Sequence, residues 1–296
     1  MKRISIIGSG VVGQGVGKGF LENNQVIFFD INKNIVEKLK SQGFEATDNL
    51  EYAINNTDVS FIAVPTPSTE DGIDLSFIKS ATENIAKILK NKKNYHIIVI
   101  KSTVVPKTTE EIVKPILERV SGKKCGEYFG LCVNPEFLTE ISHKWDKTKE
   151  FERTLETEER IVIGTLDKRS GDILESIYKS FNKPIYRVDT KTAEMIKYAS
   201  NCCLASRVSY WVEIFFLCKK LGIDGRLVAD IVAKDKRIGK YGSVITDPPG
   251  FYGKCLPKDL EALIHMADSI GFGTILLKAV KEVNDNVQNR LIENEV

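Results

Sequence analysis

The stretch Ile4-Ser5-Ile6-Ile7-Gly8-Ser9-Gly10-Val11-Val12-Gly13 decides the fold. A short apolar run enters GxGxxG, and the pattern predicts a strand, a tight turn and a helix beginning within the motif. Glycines at these places allow the turn and let the backbone approach a pyrophosphate. That group sits on the helix N-terminus, where unpaired N–H groups and the helix dipole favour negative charge. A lone GxGxxG is weak evidence, but Asp30 closes the second apolar run seventeen residues past Gly13, where a carboxylate hydrogen-bonds the adenosine ribose hydroxyls. The alternative is a surface aspartate in a turn. An acid there repels a 2′-phosphate and Ile31-Asn32-Lys33 offers no arginine, so NAD is expected rather than NADP, held by Gly8, Gly10, Val11, Val12, Gly13 and Asp30.

Outward from this motif, short β-rich runs alternate with longer helical segments. Val26 to Phe29, Val59 to Val64, Ile97 to Ile100, Gly130 to Val133 and Arg160 to Ile163 read as strands, with Ile185 to Val188 as one more. Such alternation implies an α/β fold with a mostly parallel, doubly wound sheet of the Rossmann type. From Thr190 to Leu221 no proline or glycine interrupts one long helix, and beyond it the pattern stays helical apart from a glycine- and proline-rich loop between Arg237 and Pro257. The expected organisation is a nucleotide domain over 1–189, then the long helix and an all-α domain over 190–296. Val64-Pro65-Thr66-Pro67 ends a strand at the sheet edge where such folds bind ligands, so Thr66 is a further candidate beside the dinucleotide; a proline-stiffened loop is the alternative.

The 42 basic and 40 acidic residues nearly cancel, and no polybasic block gives an electrostatic footprint for nucleic acid or an anionic membrane. A small-molecule partner is expected. The six cysteines form no CxxC pair, no metal site is expected, and the first strand starts too early to leave room for a signal peptide. No apolar run approaches the roughly 18 residues of a spanning helix. A cytoplasmic protein with reduced thiols is the expectation.

Gly250-Phe251-Tyr252-Gly253-Lys254-Cys255-Leu256-Pro257-Lys258-Asp259 places a thiol just before a helix, between two lysines. Nearby cations and a helix N-terminus favour a thiolate; composition alone favours a buried structural cysteine.

With this loop the chain resembles the UDP-glucose/GDP-mannose dehydrogenase family, whose signature is a glycine-rich loop followed by CxPKD. The same order of segments recurs: GxGxxG, Val64 to Pro67, Lys101-Ser102-Thr103-Val104, Asn134-Pro135-Glu136-Phe137-Leu138-Thr139-Glu140, Lys197 to Asn201, and Arg237-Ile238-Gly239. The resemblance implies oxidation of a nucleotide-sugar C6 alcohol, most simply that of UDP-glucose, to the carboxylate with two NAD. Cys255 would carry a thiohemiacetal and then a thioester. It implies that Lys197 and Asn201, with a water held by Asp259, stabilise oxyanions, and that Glu136 serves proton transfer and thioester hydrolysis. Thr103 and Glu140 would lie near nicotinamide and substrate. Phe137, Leu138, Tyr241 and Gly253 would join the substrate site, and Arg237 would reach across a homodimer to the other subunit's nucleotide. Read alone, Lys197 is a solvated helical lysine, Thr103 a helix cap and Arg237 an exposed arginine.

Three departures from the family pattern stand out. Members usually have a third, nucleotide-gripping domain, and this sequence stops at Val296 about where that domain is expected, after a segment, Leu276 to Gln288, that resembles the linker helix before it. Tyr252 stands where many members have glycine, which would strain it if the position needs positive φ, and Val105-Pro106-Lys107 replaces a more usual Pro-x-Gly.

Overall fold

A computed structural model of the chain describes residues 1–69, 72–138, 154–155, 157–242, 245–246, 249–253 and 255–292, without the side chains of 241–242 and 288–292. The chain divides into two compact units: Met1–Pro67 with Ile73–Glu140 and Glu150–Lys197, and Ser68–Gly72 with Ile141–Lys149 and Tyr198–Val296.

The strands are β1 (Arg3–Ile7), β2 (Gln25–Phe29), β3 (Ala46–Thr47), β4 (Val59–Ile62), β5 (Ser68–Thr69), β6 (Gly72–Ile73), β7 (His96–Ile100), β8 (Phe129–Val133), β9 (Ile161–Thr165) and β10 (Ile185–Val188). Eight of them, all in the first unit, form one sheet in the order β10-β9-β8-β7-β4-β1-β2-β3. The ladders are parallel except that β8 and β9 run antiparallel. The strand order reverses between β1 and β4, the topological switch at which open α/β sheets bind ligands outside the carboxyl ends of their strands.

Both faces of this sheet are covered, which explains why its strands read as near-continuous apolar runs. On one face Ile7, Ile27, Ile62, Ile98 and Leu131 pack against α3 (Leu50–Asn55), α4 (Ser76–Leu89) and α5 (Lys114–Ser121). On the other, Ile4, Ile6, Phe28, Phe61, Val99 and Ile163 pack against α1 (Val11–Phe20), α2 (Lys33–Ser41) and α6 (Lys168–Tyr178). The period-2 alternation from Ile4 to Ile7 therefore divides each strand between two cores. The doubly wound sheet, the long helix and the helical second part agree with the sequence reading, whereas the two-residue β3 gave no pattern long enough to detect.

The long helix is α7 (Thr190–Lys220), followed by α8 (Gly225–Val232), a single turn α9 (Gly239–Gly242), α10 (Leu256–Ser269) and α11 (Ile275–Ile292). Trp211, Ala229 and Ile245 form an apolar cluster of the second unit, and the Ser209 hydroxyl donates to the Val280 carbonyl, tying α7 to α11. Among the described residues no helix is long and apolar enough to cross a membrane.

Candidate functional site

In the first unit the candidate residues follow the carboxyl ends of successive parallel strands. After β1, Gly8 adopts φ +95°, and a Cβ at Gly13 would lie 2.0 Å from the Gly8 carbonyl oxygen, so the turn admits only glycine there. Gly10 caps α1 without a side-chain hydrogen bond, and the space a Cβ would take there is open. Helix N–H groups with no side-chain cap, opening on free space, fit a pyrophosphate. After β2, the Asp30 carboxylate accepts from the backbone N–H of Ser9 at 2.8 Å and of Asn32 at 2.9 Å, bracing the glycine loop as well as presenting an acid beside it. Val11 is exposed and Val12 half-buried.

After β4, the buried Thr66 donates its hydroxyl to the Thr103 carbonyl at 2.9 Å, linking this edge to the loop after β7. That loop is held from behind. The Glu194 carboxylate on α7 accepts from Lys107 N at 2.6 Å, Thr109 N at 2.9 Å and the Thr109 hydroxyl at 2.6 Å. Burial lifts the Glu194 pKa to about 7 against the pull of these bonds. Lys107 has φ +77°, and it and Asn182 are the only non-glycine residues with positive φ among those described.

After β8 comes a turn made of buried polar groups. Glu136 accepts from Leu138 N at 2.7 Å through one carboxylate oxygen and from Lys197 Nζ at 3.0 Å through the other. The side chains of the pair are 9% and 5% exposed. Lys197 Nζ also lies 5.6 Å from the centroid of the Phe137 ring, on which the Arg160 guanidinium stacks at 4.3 Å. Leu138 lies close to Gly15 of α1.

In the second unit, Cys255 is exposed at the N-cap of α10. Its carbonyl accepts from Asp259 N at 2.9 Å, closing the first turn. The Asp259 carboxylate is 1% exposed, accepting from Asn201 Nδ2 at 2.6 Å and pairing with Lys258. The loop before the cysteine is pinned to α11 by Asn284, whose amide accepts from Phe251 N at 2.8 Å and donates to Phe251 O at 3.1 Å. A cavity of about 320 Å³ beside it is lined by Phe251, Tyr252, Gly253, Pro257, Lys281 and Asn284, among others. Burial pushes the thiols of Cys125 and Cys132 up to about 11 and that of Cys202 up to about 12, which holds them as unreactive thiols. Cys255 differs from these three in exposure and in standing at a helix start.

Residues 40–182 match the UDP-glucose/GDP-mannose dehydrogenase family, NAD binding domain, and residues 191–286 match the central domain of the same family. A GDP-mannose 6-dehydrogenase of Pseudomonas syringae pv. syringae is 38% identical over 97% of this chain and 69% of its own length. The chain belongs to the UDP-glucose/GDP-mannose dehydrogenase family. A UDP-glucose 6-dehydrogenase of Haloferax volcanii is 34% identical over 98% of this chain and 71% of its own length. The solved UDP-glucose dehydrogenase of Pyrobaculum islandicum superposes with a TM-score of 0.84 at 34% identity, covering 97% of this chain and 68% of that one. NAD is the cofactor of the family domain matched, in keeping with the glycine loop and Asp30.

Within this family frame the structure brings Glu136 to Lys197, Asn201 to Asp259, and Thr66 to the Thr103 loop. Arg237 is exposed and paired with Asp235 at 2.6 Å. Glu140, Thr139 and Lys254, and the side chain of Tyr241, lie outside the described residues. The strain expected at Tyr252 is absent: positive φ falls on Gly250 and Gly253, at +113° and +84°, which leaves Tyr252 ordinary backbone and its hydroxyl bonded to Pro249 O at 2.5 Å. Sequence reasoning gave no part to Lys101, Asn134, Glu158, Glu194 or Asn284. The signal open to it was a charged residue directly after a fully apolar strand, as at Lys101.

Proposed function

We propose that the chain oxidises the C6 alcohol of a nucleotide-sugar to the carboxylate, with UDP-glucose as substrate, through Cys255. NAD, when bound at the glycine loop, supplies the hydride acceptor for both oxidations. The observation that carries the reading is an exposed thiol at the start of α10 one turn before a buried carboxylate held by Asn201.

The first oxidation turns the alcohol into an aldehyde, with loss of hydride and a proton. The Cys255 thiolate then adds to the aldehyde carbon, and the C–S bond of a thiohemiacetal forms. This adduct loses hydride and its hydroxyl proton as the aldehyde's hydrate would, leaving a thioester. Water cleaves the thioester, releasing carboxylate and returning the thiol. The Lys197 amine and the Asn201 amide supply N–H donors for the oxyanions of these steps, and Glu136, held by Lys197, orients or deprotonates the hydrolytic water. The same reading makes the active species a homodimer in which Arg237 reaches the nucleotide bound by the other copy. The exposed arginine and the exposed Tyr210, Leu217, Leu221, Leu227 and Ile231 of the second unit support it.

The test is purified chain with NAD and UDP-glucose. Two NADH form per sugar, a covalent adduct is trapped on Cys255, and Cys255→Ser lowers the rate roughly a thousandfold or more. One NADH per sugar would indicate an ordinary two-electron dehydrogenase, and NAD binding without turnover would indicate a silent dinucleotide-binding module. GDP-mannose run in parallel decides the sugar, a second reading favoured by the 38% identity to the Pseudomonas enzyme.

A further inference from the structure

The Asn134–Leu138 turn is held by buried charges that the reaction just described leaves unassigned. Lys101, 1% exposed, follows β7 and donates from Nζ to Asn134 Oδ1 at 2.7 Å and to the Pro135 carbonyl at 3.3 Å. Asn134 in turn donates to the Val162 carbonyl at 2.7 Å and accepts from the Tyr178 hydroxyl. Glu158, 4% exposed, precedes β9 and accepts from Phe137 N at 2.7 Å. Residue by residue, the turn is gripped at 134 and 135 by an ammonium and at 137 by a carboxylate, with Glu136 between them.

We propose that Lys101 and Glu158 are positioning residues for Glu136, fixing both where its carboxylate points and whether it carries charge. Buried backbone groups need partners, and a neutral side chain could satisfy Pro135 O or Phe137 N equally well. What a neutral side chain could not do is balance charge. Burying one carboxylate against one ammonium is costly unless further charges compensate. Here two buried lysines, Lys101 and Lys197, stand against two buried glutamates, Glu136 and Glu158, so these four charges balance. Burial pushes Lys101 down to about 8, with Glu158 and Glu136 acting to raise it, and pushes Glu158 up, with Lys101 and Lys197 acting to lower it. The groups meeting the turn among the described residues are Lys101 after β7, Glu158 and Arg160 before β9, Tyr178 of α6 and Lys197 of α7. Arg160 lies over the Phe137 ring and Tyr178 is bonded to Asn134.

This inference rests on the assignment of Glu136 to thioester hydrolysis, and the experiment separates the two. Lys101→Met, Glu158→Gln and the double variant are made in the full chain. Glu136 is titrated by carbon-13 NMR of labelled glutamate carboxyls, its signal assigned with Glu136→Gln, and the pH profile of kcat for NADH formation is measured beside it. Lys101→Met removes an opposite charge and displaces the Glu136 titration upward; Glu158→Gln removes a like charge and displaces it downward; the double variant returns it close to wild type. The acid limb of kcat follows the same three displacements. Glu158→Gln keeps an oxygen to accept from Phe137 N, so it serves as the folded test if Lys101→Met does not fold. A Glu136 titration unmoved in Glu158→Gln overturns the proposal and leaves the two residues as scaffold. Displaced titrations without NADH formation sustain the positioning role and overturn the C6 oxidation.

Discussion

Replacing Glu194 by glutamine tests how α7 holds the loop that carries Thr103. The wild-type carboxyl is 2% exposed and accepts three hydrogen bonds, from Lys107 N, Thr109 N and the Thr109 hydroxyl. Burial nevertheless lifts its pKa from 4.5 to about 7. In the unfolded chain the group titrates near its ordinary value, so between these two pH values the folded state binds more protons. The stability it contributes is complete below pH 4.5 and is lost as pH rises through about 7. At about 1.4 kcal/mol per unit, the loss is about 3 kcal/mol. The Thr109 hydroxyl can turn to accept the proton of the neutral acid, so both ionisation states keep the turn. Glutamine has the same shape and does not titrate, but its NH₂ must oppose one of the two backbone N–H groups, at a cost of roughly 1–3 kcal/mol that is independent of pH. The stability gap between wild type and Glu194→Gln is therefore widest below pH 4.5 and falls by about 3 kcal/mol towards about pH 8, where it closes or reverses. Urea unfolding followed by circular dichroism, with the slope checked for constancy across pH, measures it. A gap that stays constant across this range refutes the reasoning, because it means that Glu194 ionises like an exposed carboxylate.

Two backbone substitutions give further checks. Gly13→Ala places Cβ 2.0 Å from the Gly8 carbonyl oxygen and forces the turn to move; it destabilises by roughly 1–3 kcal/mol and weakens NAD binding, whereas Gly10→Ala, with open space around its Cβ, leaves the unfolding midpoint near wild type and weakens NAD binding alone. Equal losses of stability in the two variants, by urea titration and NAD fluorescence quenching, would contradict the geometry. Lys107→Gly relieves a left-handed lysine, φ +77°, worth about 1–2 kcal/mol, offset by about 0.5–1 kcal/mol of added chain entropy, so its melting temperature rises slightly while that of Lys107→Val falls.

What the sequence disclosed and what it concealed divide along the range of the interactions. The strand runs, the glycine turn, the breaker-free α7 and the start of α10 are local patterns, each carried by fewer than about a dozen neighbouring residues or by one uninterrupted period. Burial of a polar side chain is not local. Lys101 meets Asn134, Glu158 meets Phe137, Glu194 meets Thr109 and Asn284 meets Phe251, each pair brought together only by the finished fold. Composition reads Lys101, Asn134, Glu158, Glu194, Thr109 and Asn284 as surface groups. His96 shows the same blindness: it opens an apolar strand, is fully buried, and is held near pKa 3 by desolvation, its rings of partners being Ser60 and the Thr57 carbonyl. The glycine lost at Tyr252 misled in the other direction, because the loop places its positive φ on the glycines to either side.

The stripe Glu194, Lys197 and Asn201 explains why so much of the site hangs on one helix. These residues stand at i, i+3 and i+7 of α7, hence on one side of it. Each grips something different: Glu194 the 107–109 turn, Lys197 the Glu136 carboxylate, Asn201 the Asp259 carboxylate. Loops that follow strands are free to differ in sequence and length, and the residues at Val105 to Lys107 depart from the more usual Pro-x-Gly. A helix is not free in that way. Its rise fixes roughly 4.5 Å of axis between Glu194 and Lys197, and one residue inserted between them would turn one against the other by about 100°, so that the 107–109 turn and Glu136 could not both be held. An interior glycine or proline would loosen that register, and α7 runs for 31 residues without either.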